Sequence, residues 1–187
     1  MAWSHQGHDF KLLDLLGDLE GTPFSGRVWR AVRKGRSVID GSRGSGRWNT
    51  REQAVLYGAL EADGAIAEMH HHMSLGQSVF PSRLQHSLYE LDVVAQNTLT
   101  FADLTQLESL GVDPARYKEM LYSRTQEVGA AAAFLGFDGL ITPSARWDCK
   151  NIVLFLDNYE IEGLTVIGER DINWKNWIAE HRLKNRG

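Results

Sequence analysis

The chain has 187 residues, enough for one domain with a substantial core and too few for two. Its 43% apolar and 24% charged residues are ordinary for a soluble globular protein, and a net charge of -4 offers no basic field for nucleic acid. The single cysteine, Cys149, excludes an internal disulfide and fits a reducing compartment.

The N-terminal residues MAWSHQGHDFKLLDLL lack the basic head and apolar core of a secretion signal. The longest apolar stretch, 128–137, is too short to span a bilayer. Together these predict a cytoplasmic protein. Phe10, Leu13 and Leu16 at helical spacing, with Leu12 and Leu15 widening the face, predict a helix packed on the domain. Thr22-Pro23 and Gly26 then break the chain. RVWRAV, residues 27–32, reads as a strand with Val28, Arg30 and Val32 on one face. An arginine between two valines is costly to bury unpaired, so the pattern alone favours an edge strand with Arg30 reaching solvent. Residues 34–43 form a basic, Gly/Ser-bearing loop, most simply a solvated one.

The stretch GSGRWNTREQAVLYGALEADGAIAEMHHHM, residues 44–73, is the densest in chemistry-bearing residues. Gly44 and Gly46 free the backbone for a turn, and Arg47, Trp48 and Asn49 follow at once. A short apolar run ending in Tyr57 predicts a strand, and a helix begins near Glu61. On that helix Ala62, Ile66, Met69 and Met73 form a core stripe. Glu61, Ala65, Glu68 and His72 lie nearly opposite. Spacing alone favours a solvated Glu68 paired with His72, and a functional Glu68 requires its face to line a cleft. His70-His71-His72 invites a metal reading, but adjacent histidines point about 100° apart on a helix. A helical zinc site wants two on one face, so no metal is expected.

Further on, HSLYELDVV, residues 86–94, alternates as a strand with one wet face, and Phe101 ends a second short strand. Asp103 caps a short helix that Gly111 stops. Asp113-Pro114 opens a helix or a broken pair running towards Leu135, where Gly129 and the alanines 130–133 permit close packing. Leu140 and Ile141 make a short strand ended by Pro143, leaving Ser144 and Arg146 in a loop. A turn serine and a site serine are equally compatible with that position. Asn151 begins the apolar run 152–156, which predicts a central buried strand. A strand at 164–167 and a Trp-bearing helix at 172–183 complete the chain. The chain holds no G-x-x-x-x-G-K-[ST] loop, no G-x-G-x-x-G after a strand and no G-x-S-x-G elbow around Ser144.

Three blocks in order resemble the RES-domain toxins of RES–Xre toxin–antitoxin modules: RVWRAV; then GSGRWNT, AVLYGAL and AIAEMHHH; then FDGLITPSARWDCKNIVLF. The resemblance covers about residues 24–157. It implies an α+β, ADP-ribosyltransferase-like single domain over 1–187, with a mixed sheet core flanked by helices around an NAD cleft. It implies Arg30, Glu68 and Ser144 as catalytic residues, and Arg47, Tyr57 and Asn151 as substrate-binding ones. The implied activity is cleavage of the nicotinamide–ribose bond, with NAD as substrate and no cofactor. Water, phosphate or a protein would be the acceptor. The implied partner is an Xre-type antitoxin whose helix-turn-helix domain carries the DNA binding; a homo-oligomer is compatible. A specific protein ADP-ribosyltransferase and a non-catalytic nucleotide-binding module are the competing readings. Gly58-Ala59 stands where the family usually has serine, and Trp48 where it often has tyrosine.

Overall fold

The computed structural model describes residues 9–75 and 85–184. The N-terminal residues 1–8, read above for a secretion signal, lie outside it. Among the described residues, five α-helices and six strands follow one another as α1 (Phe10–Gly17), β1 (Thr22–Arg33), β2 (Val55–Ala59), α2 (Ala62–Ser74), β3 (His86–Thr100), α3 (Leu104–Glu108), α4 (Ser123–Phe134), β4 (Gly139–Pro143), β5 (Lys150–Phe155), β6 (Leu164–Asp171) and α5 (Trp174–Lys184). The fold is α+β, as expected.

The strands close on themselves. β1 pairs antiparallel with β3 along its whole length, from Thr22 opposite Thr98 to Arg33 opposite His86. It touches β2 at Trp29 opposite Ala59. β2 pairs with β5, β5 with β4, and β4 runs parallel to the end of β3. β6 pairs antiparallel with the first half of β3. A strand has two edges, so β6 and β4 divide between them the edge of β3 that β1 leaves.

Side-chain alternation then sorts the core into three parts. Val28, Val32, Leu56, Leu91, Val93, Ile152 and Leu154 face the interior enclosed by the strands. Val55, Val153, Phe155 and Leu140 face outward under α1, α3 and α4. Ala31, Ala59 and Leu88 face outward under α2 and α5. Because helices cover both outer patches, β5 is buried on both faces and reads as an unbroken apolar run.

Several elements depart from expectation for local reasons. β1 begins five residues early and runs through Pro23 and Gly26. Its register shifts between Thr22 and Phe24, the kind of irregularity where a strand tolerates proline. β3 is one strand of 15 residues where two were expected. β1 is therefore no edge strand, and Arg30 is half-buried. In α1, Leu12 and Leu16 form the buried stripe, while Phe10 is 83% exposed. After Pro114 the chain makes only a short 3-10 turn before α4 starts at Ser123.

Two glycines allow the close approaches that shape the site. A Cβ at Gly64 would lie 2.5 Å from Cys149 Sγ, and one at Gly129 would lie 1.9 Å from the Trp48 carbonyl oxygen. α2 thus sits tight on the 144–149 turn, and α4 tight on the 44–49 loop.

Candidate active site

The site is built around Glu68. α2 follows β2 directly, buries Gly64 to Ala67 against the strands, and carries the half-buried Glu68 one turn on. Ser144 comes immediately after β4, and Asn151 is the second residue of β5, opposite Thr142. The turn between them is closed by the Ser144 amide donating to the Cys149 carbonyl at 2.9 Å. Both side chains reach one oxygen of the carboxylate. Ser144 Oγ donates to Glu68 Oε1 at 2.8 Å, and Asn151 Nδ2 donates to the same atom at 2.9 Å. The serine oxygen in turn accepts from the amides of Arg146 (3.1 Å) and Trp147 (3.3 Å). These bonds fix one carboxylate oxygen and leave Oε2 without a hydrogen bond from the described residues. No hydrogen bond or ion pair links Glu68 to His72, which is exposed.

Arg47 stands in the same neighbourhood. Its loop is pinned from three sides. Tyr57 Oη donates to Asn49 Oδ1 at 2.8 Å and accepts from the Trp48 amide at 3.0 Å. The fully buried Asn49 side chain donates to the carbonyls of Gly44 and Thr50, each at 2.9 Å. Gln126 of α4 donates to the Gly46 carbonyl at 2.7 Å and to Ser45 Oγ at 2.9 Å. The Arg47 guanidinium then packs over the rings of Tyr117 and Tyr122 and donates to the Glu119 carbonyl at 3.3 Å. Both Arg47 and Glu68 act electrostatically on Tyr57 and Tyr117, which ties the two halves together. Burial pushes the Tyr117 phenol up to about 12 and the Tyr57 phenol higher still, so both stay protonated donors.

Arg30 is placed differently. It shares the interior face with Val28 and Val32, whereas Tyr57 and Asn151 point outward. Nη1 donates to the Tyr57 carbonyl at 2.6 Å and Nη2 to the Asp40 carbonyl at 3.2 Å. β1 and β2 share one pairing and then part, and this side chain bridges the gap. Burial pushes its guanidinium down to about 10, opposed by the charge of Asp40. No hydrogen bond or ion pair joins Arg30 to Glu68. The structure therefore brings together Glu68, Ser144, Asn151, Arg47 and Tyr57, while Arg30 meets this group through the Tyr57 carbonyl and keeps its buried Nε without a hydrogen-bond partner among the described residues.

The three histidines diverge. His70 packs its ring 5.6 Å from Trp177 and 6.1 Å from Trp174 of α5. His72 is exposed. His71, one turn beyond Glu68, has its Nε2 buried without a hydrogen-bond partner. Burial and the neighbouring Arg146 lower its pKa, so it is neutral at physiological pH. His71, Arg146, Tyr117 and Tyr122 are residues of the site that the sequence reading did not assign. The helical spacing of His71 from Glu68 was a usable signal; the tyrosines, far along the chain, offered none. Among the described residues, no group of three or more His, Cys, Asp or Glu side chains is arranged to hold a metal, and no helix is long and apolar enough to cross a membrane.

A family model for the RES domain matches residues 27–172. The chain belongs to the RES-domain family. The match starts in β1 and ends just after β6, so it takes in every residue of the site. This RES domain also superposes on a chain from the crystal structure of the M. tuberculosis MbcT-MbcA toxin-antitoxin complex, with a TM-score of 0.81 at 20% sequence identity. The superposition covers 91% of this chain and 97% of the other. At that identity the likeness is one of fold. No curated protein matches the chain.

Proposed function

We propose that this RES domain is the toxin of a toxin–antitoxin pair and acts in the cytoplasm by cleaving NAD between nicotinamide and ribose. The observation that carries the reading is the Glu68 carboxylate, fixed through one oxygen by Ser144 and Asn151, with Arg47 acting on the same two tyrosines, Tyr57 and Tyr117. Breaking an N-glycosidic bond builds positive charge on the anomeric carbon. A preorganised carboxylate stabilises that charge without having to reorganise. The bonding electrons pass to the ring nitrogen, which turns a pyridinium into neutral nicotinamide. A new C–O bond forms to water or phosphate, and the acceptor's proton is released to solvent. No strong general acid is required, because the leaving group departs neutral.

In this reading Arg47 takes the pyrophosphate through its planar fork. Ser144 and Asn151 orient Glu68, and Tyr57 orients the loop of Arg47. Arg30 supports the site through the Tyr57 carbonyl. The likeness to a chain of a toxin–antitoxin complex supports an antitoxin partner, for which the family suggests an Xre type with a helix-turn-helix domain. DNA binding then belongs to that partner, in keeping with the net charge of -4 here.

The test is loss of NAD with purified protein, with and without phosphate, and growth on expression without the antitoxin. NAD loss and growth arrest are expected. NAD loss only when a protein acceptor is added would move the reading to ADP-ribosyl transfer. No loss under any condition, at confirmed folding, would leave a non-catalytic module.

A further inference from the structure

Arg47 is held in a way that keeps its charge available. The guanidinium carbon lies 4.7 Å from the Tyr117 ring centroid and 4.8 Å from that of Tyr122. Among the described residues its one hydrogen bond runs to a backbone carbonyl, that of Glu119. The Glu119 carboxylate is turned to Arg116 instead, at 3.0 Å. Among the described residues no carboxylate pairs with Arg47. Ring faces attract a guanidinium through their quadrupoles and carry no net charge. They immobilise the cation where a carboxylate would also have cancelled it. No other described residue accepts from its N–H groups, which suits them to a planar oxyanion.

The two rings are not equivalent. Tyr117 is buried and ties its hydroxyl to the Pro143 carbonyl at 2.7 Å, next to Ser144. Replacing it would disturb the core and the serine turn together. Tyr122 is half-buried at the start of α4. Its carbonyl accepts from Thr125 Oγ and the Gln126 amide, contacts that survive a change of side chain. No hydrogen bond of its hydroxyl is present among the described residues. What its ring supplies is a face beside Arg47.

We propose that Tyr122 is a positioning residue: its ring face sets the Arg47 guanidinium to receive the pyrophosphate of the substrate. The inference rests on the NAD reading for the identity of that anion. A face needs an aromatic ring but no hydroxyl, which gives the test its shape. Wild type, Tyr122→Phe and Tyr122→Leu are compared by initial rates of NAD loss and by calorimetric binding of ADP-ribose, with melting temperatures recorded. Tyr122→Phe should match the wild type in both. Tyr122→Leu should raise KM and the ADP-ribose Kd about tenfold at nearly unchanged kcat. A purely structural tyrosine would lower the melting temperature without splitting KM from kcat. Unchanged KM and Kd in Tyr122→Leu would overturn the proposal, as would equal damage in Tyr122→Phe. If the wild type leaves NAD intact while ADP-ribose binding still follows the expected pattern, the reaction is wrong and the positioning role stands. If the wild type does not bind ADP-ribose, the positioning role falls.

Discussion

Replacing Glu68 by glutamine separates the charge of the site from its shape. The side chain keeps its length, and its amide oxygen is able to take the place of Oε1. There it would still accept from Ser144 Oγ and Asn151 Nδ2, now 2.8 and 2.9 Å away. The bonds lose their charge assistance, which costs on the order of 1 kcal/mol of stability. The rate should suffer far more. Opposite unit charges about 4 Å apart attract by about 4 kcal/mol at an effective dielectric of about 20. Only that part gained on reaching the oxocarbenium-like state affects kcat, so a loss of about 100-fold, or roughly 3 kcal/mol, is expected. Initial rates of NAD loss measure it, with melting temperature and ADP-ribose binding as controls. Turnover within about threefold of the wild type, at unchanged folding, would refute the reasoning, because an exposed carboxylate contributes that little.

Arg47→Ala should weaken ADP-ribose binding by about 2 kcal/mol, read by calorimetry, with a smaller effect on folding; an unchanged Kd would remove Arg47 from the site. Arg30→Ala should lower stability by about 2–3 kcal/mol in denaturant melts, since two carbonyls lose a charged donor; its KM for NAD should stay near wild type where the protein is folded, and a selective rise in KM would return Arg30 to substrate contact. Acid should destabilise the protein. The pKa values of His71 and His86 are both lowered in the folded state, chiefly by burial. Their contribution is present above the ordinary value of 6.5 and is lost as pH falls through the folded pKa, because the unfolded chain takes up protons first. Melting temperature should therefore fall between about pH 7 and 5, and His86→Gln should flatten that slope; a flat wild-type profile would contradict the assignment.

Local chemistry made many elements legible. Asp103 caps α3 through the Gln106 amide, as its position before an apolar run suggests. Gly111 adopts a φ of +84°, the left-handed turn that ends such a helix. The apolar run of β5 and the Ala62, Ile66, Met69, Met73 stripe of α2 followed from periodicity alone, because burial on a face repeats with the backbone. The order of the three blocks was enough to bring Arg30, Glu68, Ser144, Arg47, Tyr57 and Asn151 into one reading.

What periodicity does not carry is which face looks at what. Glu68 lies off the main apolar stripe of α2, where a free helix would meet solvent. Only the packing of α2 on the 144–149 turn, allowed by Gly64, puts Ser144 and Asn151 in front of it. Arg30 and Arg47 are alike in sequence, each a cation close to a tryptophan. The closure of the strands turns Arg30 to the interior and engages Nη1 and Nη2 with carbonyls, while α4 and the 117–122 segment enclose Arg47 with two tyrosines. The carbonyls that Arg30 meets lie 27 and 10 residues along the chain, whereas the tyrosines around Arg47 belong to a segment far beyond it. The pairing is decided by the geometry of the closed sheet and its helices, which no local pattern of residues encodes.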